Sequence, residues 1–131
     1  MYKCEVCGRA ADKHHIVHSS QGGIDFPLNI KHLCDEHHRG KTGPHKNRTT
    51  DLQYKLELQY NLRSLLTKEY YRIEELADTL RINSRMIRKL VKGLKTHKEG
   101  YRSKDVIYRL MGEKEYNEYM LEEFCEFIAN F

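Results

Sequence analysis

The stretch Leu33-Cys34-Asp35-Glu36-His37-His38 decides how this chain folds. Two residues separate Cys34 from His37, and the same gap separates Cys4 from Cys7 near the start of the sequence. Paired hooks of this kind let short turns present soft ligands to one tetrahedral zinc ion. An isolated Cys-x-x-Cys also serves redox chemistry, but no thioredoxin-like alternation of strands and helices surrounds this one. Cys4, Cys7, Cys34 and His37 therefore read as a structural zinc site. Residues 1–48 carry three of the four cysteines and seven of the eight histidines. Their apolar stretches are short and broken by turn signals such as Gln21-Gly22-Gly23, too little to fold on burial alone. Metal binding is then expected to supply much of this module's folding free energy, on the order of 10 kcal/mol in comparable small domains.

With zinc's four positions filled, His14, His15 and His38 need another explanation. His14-His15-Ile16 is expected to open a strand, where adjacent side chains point to opposite faces. His38 follows a zinc ligand on a short helix opened by Cys34. These residues, taken with Gly22-Gly23, Pro27-Leu28-Asn29 and the Cys-x-x-His hook, resemble the HNH endonuclease family and its ββα-metal fold. The resemblance covers Cys4 to about His45. It implies His15 as general base, Asn29 as the residue that holds the base and the hairpin, and His38 as ligand of a catalytic divalent ion. The residue before the base is often an aspartate ligand in that family; here it is His14. Imidazoles without a carboxylate suit Mn2+, Ni2+, Co2+ or Zn2+ better than Mg2+, which prefers oxygen.

The chemistry implied is phosphodiester hydrolysis. An imidazole titrates near neutrality, so a neutral His15 can take a proton from an attacking water. A bound cation offsets the charge developing on phosphate and leaving oxygen. His18, His32 and His45 are weaker candidates, and for His45, after Gly43-Pro44, approach to the ion or phosphate and a solvated loop position both stay open.

Beyond the module the pattern becomes helical. Leu52, Leu56, Gln59, Leu62 and Leu66 recur at three-to-four spacing, predicting a helix capped by Thr50 or Asp51 that ends near Thr67 and connects two halves. Residues 72–92 read as two short amphipathic helices with a turn at Ile82-Asn83 and Asn83 or Ser84 as second N-cap. The basic segment 93–105 suits a short hairpin or wing before a helix near Lys104. A last amphipathic helix is expected over residues 115–131, with Cys125 an ordinary buried thiol beside its apolar face. The fold class expected is α+β: a small zinc-bound ββα-metal module over 1–48, a connecting helix over 49–69, a helix-turn-helix domain with an optional wing over 70–112, and an acidic helix over 113–131.

A formal charge of +4 conceals a strong asymmetry. Residues 113–131 hold six glutamates against one lysine, whereas residues 81–109 hold ten lysines and arginines against two acids. Such a distribution points to a polyanionic partner for the basic part. Glu75 to Lys92 resembles the helix-turn-helix of excisionase-like and winged-helix proteins, with Arg81 where glycine is common. Double-stranded DNA is the expected partner, met by Arg85, Arg88, Lys89, Lys92, Lys95, Lys98 and Arg102, with Arg85 and Lys89 at base edges. His97, in the same basic segment, is expected to face solvent or phosphate. No apolar run approaches the ~18 residues that span a bilayer. The protein is expected in the bacterial cytosol, encoded by a phage or prophage. The acidic helix leaves a homodimer or a protein partner open. The rival to a nuclease is a zinc-stabilised DNA-binding regulator without catalysis.

Overall fold

The structure, a computed structural model, describes residues 2–121. It is mixed α+β, with two small sheets and helices packed around them. Strand β1 (Asp12–His15) pairs antiparallel with β2 (Ile30–Leu33), placing His14 opposite Lys31 and His15 opposite Ile30. The expected strand at His14-His15-Ile16 thus ends, rather than begins, at the histidine pair. The loop between the strands holds 3-10 turns at Ser19–Gln21 and Pro27–Asn29. Helix α1 (Asp35–Arg39) follows β2 directly, N-capped by Cys34 with Asp35 and Glu36 in its first turn, where acidic residues complement the helix dipole.

Helix α2 (Arg48–Leu65) begins three residues before the expected Asp51. Asn47, not Thr50 or Asp51, caps it, its Oδ1 accepting the Thr50 N–H at 3.0 Å. Leu52, Gln59, Leu62 and Leu66 of the expected stripe are buried, joined by Lys55 and Leu58, while Leu56 is half-buried. Gln59 is buried because its amide pairs with the backbone of Tyr116 in both directions, at 2.7 and 2.8 Å.

Strand β3 (Tyr70–Tyr71), which sequence periodicity did not reveal, precedes helix α3 (Ile73–Leu80) and helix α4 (Ser84–Val91). Arg81 adopts φ 57°, ψ 46°, the left-handed conformation that reverses the chain between these helices. Asn83 then caps α4, accepting the Met86 N–H at 2.8 Å. Strands β4 (Thr96–His97) and β5 (Gly100–Arg102) form the expected hairpin, and β5 also pairs with β3, giving sheet order β3-β5-β4. Helix α5 (Ser103–Leu110) follows, and its Arg109 donates to the Leu90 and Lys92 carbonyls at the end of α4, at 2.8 and 3.0 Å.

One apolar core runs through both halves. Ile16, Val17 and Phe26 from the hairpin loop join Leu52, Leu58 and Leu62 of α2 and the inward faces of α3, α4 and α5. The metal-hook region has its own small cluster of Cys4, Leu33 and Cys34 under Tyr54. Loop and helices also meet backbone to backbone: a Cβ on Gly112 would lie 2.4 Å from the Gln21 carbonyl oxygen, and its φ of +77° suits glycine alone. So the hairpin module is not walled off from the helices as its sparse apolar content suggested. Residues 114–117 are not helical and a helix starts at Glu118, later than expected; the remainder of the predicted acidic helix, with Cys125, lies outside the described residues. Among the described residues no helix is long and apolar enough to cross a membrane.

Candidate metal centres

Two clusters of ligating side chains flank helix α1. In the first, Cys4, Cys7, Cys34 and His37 bring their ligand atoms within 4.8 Å of one another. Cys7 Sγ lies 3.7 Å from Cys34 Sγ, and His37 Nδ1 lies 3.7 Å from Cys4 Sγ and 3.2 Å from Cys34 Sγ. A tetrahedral zinc with bonds near 2.3 Å to sulfur and 2.0 Å to nitrogen spaces its ligands by about 3.5–3.8 Å, so the set is compatible with that ion. The local fold follows from the turns. The Cys4 carbonyl accepts from Gly8 N–H at 2.8 Å, and Cys4 N–H donates to Arg9 at 2.7 Å, curling the first hook around its own metal side.

Hydrogen bonding at this cluster favours thiolates at Cys4 and Cys7. Burial pushes the Cys4 thiol up, but backbone hydrogen bonds from Cys34, Cys7 and Val6 outweigh it and bring Cys4 down to about 6. Hydrogen bonds from the Arg9 backbone and guanidinium lower Cys7. The His37 imidazole is raised by hydrogen bonding to Cys4 and Cys7. Cys34 is raised: burial and the neighbouring Cys7 and Cys4 sulfurs overcome the lowering effect of the His37 backbone N–H. Four sulfur and nitrogen atoms that crowd one another's charge in this way are relieved by a shared cation.

The second cluster is His14, His38 and His45, whose ring nitrogens also lie within 4.8 Å of one another. Two periodicities create it. Consecutive residues on a helix diverge by about 100°, so α1 sends His37 to the sulfur set and His38 to the other side. Consecutive residues on a strand alternate, so β1 turns His14 inward and His15 outward. The third member arrives by a loop. Gly43 packs so closely on the end of α1 that a Cβ there would sit 2.4 Å from the His38 carbonyl oxygen. That return carries His45 Nε2 to 2.8 Å from His38 Nε2. His18 stands beside the three, its ring 5.5 Å from that of His14 and 5.4 Å from that of His45.

His14 is the most telling of these. It is 1% exposed, and neither ring nitrogen has a hydrogen-bond partner. A buried polar group left unpaired costs about 1–3 kcal/mol, a cost that metal coordination removes. Burial first, and then the neighbouring histidines, lower His14 to about 3, so it stays a neutral ligand across physiological pH. Burial also lowers His38, His45 and His18. Two nitrogens on adjacent positions of one octahedral ion, each about 2.1 Å away, lie about 3.0 Å apart, close to the His38–His45 separation. His45 is exposed, so the cluster opens to solvent on that side.

The other sequence candidates fall into separate places. His15 is half-buried on the opposite face of β1 from His14, and its Nε2 shares a 2.9 Å hydrogen bond with Asp25 Oδ1. Asp25, which no motif had singled out, is held below the usual carboxylate range by that bond. Asn29 is fully buried: it accepts the Val17 N–H at 2.8 Å and donates to the Val17 and Ile24 carbonyls at 3.0 and 2.9 Å. It thereby ties both ends of the loop that follows His15. His32 is apart from both clusters, stacked on Tyr2 at 4.0 Å. Arg85, Arg88 and Lys89 are exposed on α4 and Lys92 just past its end, and Lys95, Lys98 and Arg102 are exposed on or beside the β4–β5 hairpin. His97 is half-buried against Tyr70. Of the three histidines that the fold brings together, His14 and His38 were singled out by the sequence and His45 was left open; the Gly43-Pro44-His45 segment was the available signal.

Compared with protein-family models, with curated proteins and with solved structures, the chain finds no match.

Proposed function

We propose that this protein is a metal-dependent DNA endonuclease of the HNH type. The observation that carries the reading is the solvent-opened triad of neutral imidazoles, His14, His38 and His45, built around a buried histidine with no other partner. A structural zinc already satisfied by Cys4, Cys7, Cys34 and His37 leaves this second cluster free for chemistry. In this reading the triad holds one divalent ion, Mn2+, Ni2+, Co2+ or Zn2+ in preference to Mg2+ because the donors are nitrogen. When bound, that ion supplies Lewis-acid stabilisation of charge on the phosphate and leaving oxygen.

The chain's own residues divide the remaining work. His15, adjacent to the triad in sequence and oriented by Asp25, takes the proton from the attacking water through the ring nitrogen that Asp25 does not occupy. Asn29 pins the loop from Val17 to Ile24, and so fixes the backbone on which His15 sits. Helices α3 and α4, joined through the left-handed Arg81, support a helix-turn-helix reading, with β4–β5 as the wing. Exposed Arg85 and Lys89 on α4 would meet base edges in the major groove, while Arg88, Lys92, Lys95, Lys98 and Arg102 neutralise phosphates. The cytosol of a bacterial host of phage or mobile elements is the setting that fits such an enzyme.

Incubation of supercoiled plasmid with the zinc-loaded protein and each divalent ion in turn tests the proposal. Nicked or linear product with wild type, and its loss with His15→Ala and with His38→Ala, is the expected result. A plasmid left intact with every ion, or cut equally by His15→Ala, would sink it in favour of a non-catalytic DNA-binding regulator.

A further inference from the structure

The triad does not use every imidazole that faces it. His18 follows Val17 in the hairpin loop and is half-buried, its ring 5.5 Å from that of His14 and 5.4 Å from that of His45. Within the triad the ring separations are shorter, 4.9, 5.1 and 4.5 Å. His14, His38 and His45 bring their ring nitrogens within 4.8 Å of one another, and His18 stands outside that set. It therefore lies one layer beyond the three ligands, at the rim of the cluster beside the exposed His45. Packing alone does not explain an imidazole in this place, because its neighbour Val17, 1% exposed, already fills the core while His18 is left at the rim.

Backbone hydrogen bonds hold this residue in position. His18 N–H donates to Gln21 Oε1 at 3.1 Å, and its carbonyl accepts from Gln21 N–H at 2.9 Å and from Gly23 N–H at 2.8 Å. Val17, the residue before it, is pinned in both directions by the buried Asn29 amide, at 2.8 and 3.0 Å. Gly23 closes over the turn so tightly that a Cβ there would meet the Val17 carbonyl oxygen at 1.8 Å and that of His18 at 2.8 Å. The backbone that carries the ring is thus ordered before anything binds. A donor fixed in advance beside the place where negative charge arrives stabilises that charge without the cost of reorganisation.

We propose that His18 is a substrate-binding residue at the open face of the triad, its imidazole donating a hydrogen bond to a non-bridging oxygen of the phosphodiester presented to His14, His38 and His45. The proposal rests on the metal-dependent nuclease reading for the identity of that phosphate, whereas the position of His18 at the rim stands on the ring geometry. An N–H bond to an ionised oxygen is stronger than one between neutral groups, so a single well-placed imidazole is enough to matter. The bonds of Asn29 then gain a second consequence: by pinning Val17 they fix His18 as directly as they fix His15.

The test uses the full-length, zinc-loaded chain with Co2+ added to the triad and inorganic phosphate as the probe, read by the change phosphate causes in the Co2+ visible absorption. His18→Phe keeps a ring against His14 and His45 but removes both nitrogens; His18→Ala removes the ring. Both variants are expected to bind Co2+ within about threefold of wild type and phosphate roughly 10-fold or more weakly, the loss that goes with one hydrogen bond to a charged group. His45→Ala, by contrast, should lose affinity for Co2+ itself. Retention of zinc shows that a variant is folded, and one folded variant suffices. Phosphate affinity equal to wild type, or a wild-type spectrum that phosphate does not move, overturns the proposal. A loss of Co2+ affinity as large as that in His45→Ala also overturns it, by making His18 a ligand. Plasmid cleavage read in parallel separates the two claims. His18-dependent phosphate binding by a protein that leaves plasmid intact with every ion supports the contact and refutes the nuclease, whereas cutting with His18-independent phosphate binding refutes the contact alone.

Discussion

His38 and His45 meet through their Nε2 atoms at 2.8 Å, although one lies on α1 and the other beyond a glycine-containing loop. Neither α1 nor that loop forms the pair alone; the close passage of Gly43 against the His38 carbonyl does. Gly43→Ala should push the loop outward and weaken binding of a divalent ion at the triad about 10–100-fold, the range seen when support of metal ligands is lost. His45→Ala should weaken it at least as much. Co2+ titration followed by its visible absorption checks both, and unchanged affinity in both variants would remove His45 from the site.

Acid should act on the same cluster through His14. The sign is set by its lowered value, about 3 in the fold against an ordinary 6.5. Between these values the unfolded chain binds a proton that the folded chain refuses, so stability is full above pH 6.5 and falls as pH drops toward 3. His14→Phe should flatten that part of the stability profile relative to wild type, with chemical denaturation at stepped pH as the readout. A profile unchanged by the substitution would contradict the assignment.

The sulfur cluster should govern folding rather than reaction. Cys34→Ser removes a ligand from the small core of Cys4, Leu33 and Cys34. Release of zinc, measured with a chromogenic chelator, and loss of soluble protein are the expected outcomes. A variant that retains a full equivalent of zinc would show that Cys34 is no ligand.

Asn29 makes three hydrogen bonds from a fully buried side chain. Asn29→Ala strands Val17 N–H and two carbonyls in an apolar setting, for a loss of about 2–4 kcal/mol in urea denaturation. Activity should fall further than stability alone dictates, because the loop anchored by Asn29 starts just after His15. Asn29→Asp keeps the acceptor for Val17 N–H but sets a buried carboxylate against the Val17 and Ile24 carbonyl oxygens, so it should be at least as damaging as alanine.

Arg81 occupies a left-handed conformation that costs a residue with a Cβ about 1–2 kcal/mol. Glycine escapes this cost but loses more chain entropy on folding, so Arg81→Gly should gain about 1 kcal/mol or less. Thermal unfolding of Arg81→Gly beside Arg81→Ala measures it. If alanine stabilises as much as glycine, the backbone conformation is not the cause.

Local chemistry made several features legible in the sequence. Two-residue ligand spacing specified the Cys4, Cys7, Cys34 and His37 group, because a short turn leaves two side chains few directions to take. Strand and helix periodicity likewise separated His14 from His15 and His37 from His38. Asn83 as a cap and the hairpin after α4 followed from residue types that favour caps and turns. The left-handed Arg81 was visible only as a departure from glycine, since the backbone of a single residue is dictated by the helices it joins.

What the tertiary structure alone decided is which of these residues stand together. His45 reaches His38 through a loop whose path is set by backbone packing at Gly43, and Asp25 finds His15 across a folded loop. Strand β3 has two residues, too few for a period, and exists because β5 pairs with it. The single core that joins Ile16, Val17 and Phe26 to the helices likewise depends on segments far apart in the chain. Sequence carries the preferences of neighbours within a turn or two; contacts between distant segments are selected by burial and shape, which only the folded chain expresses.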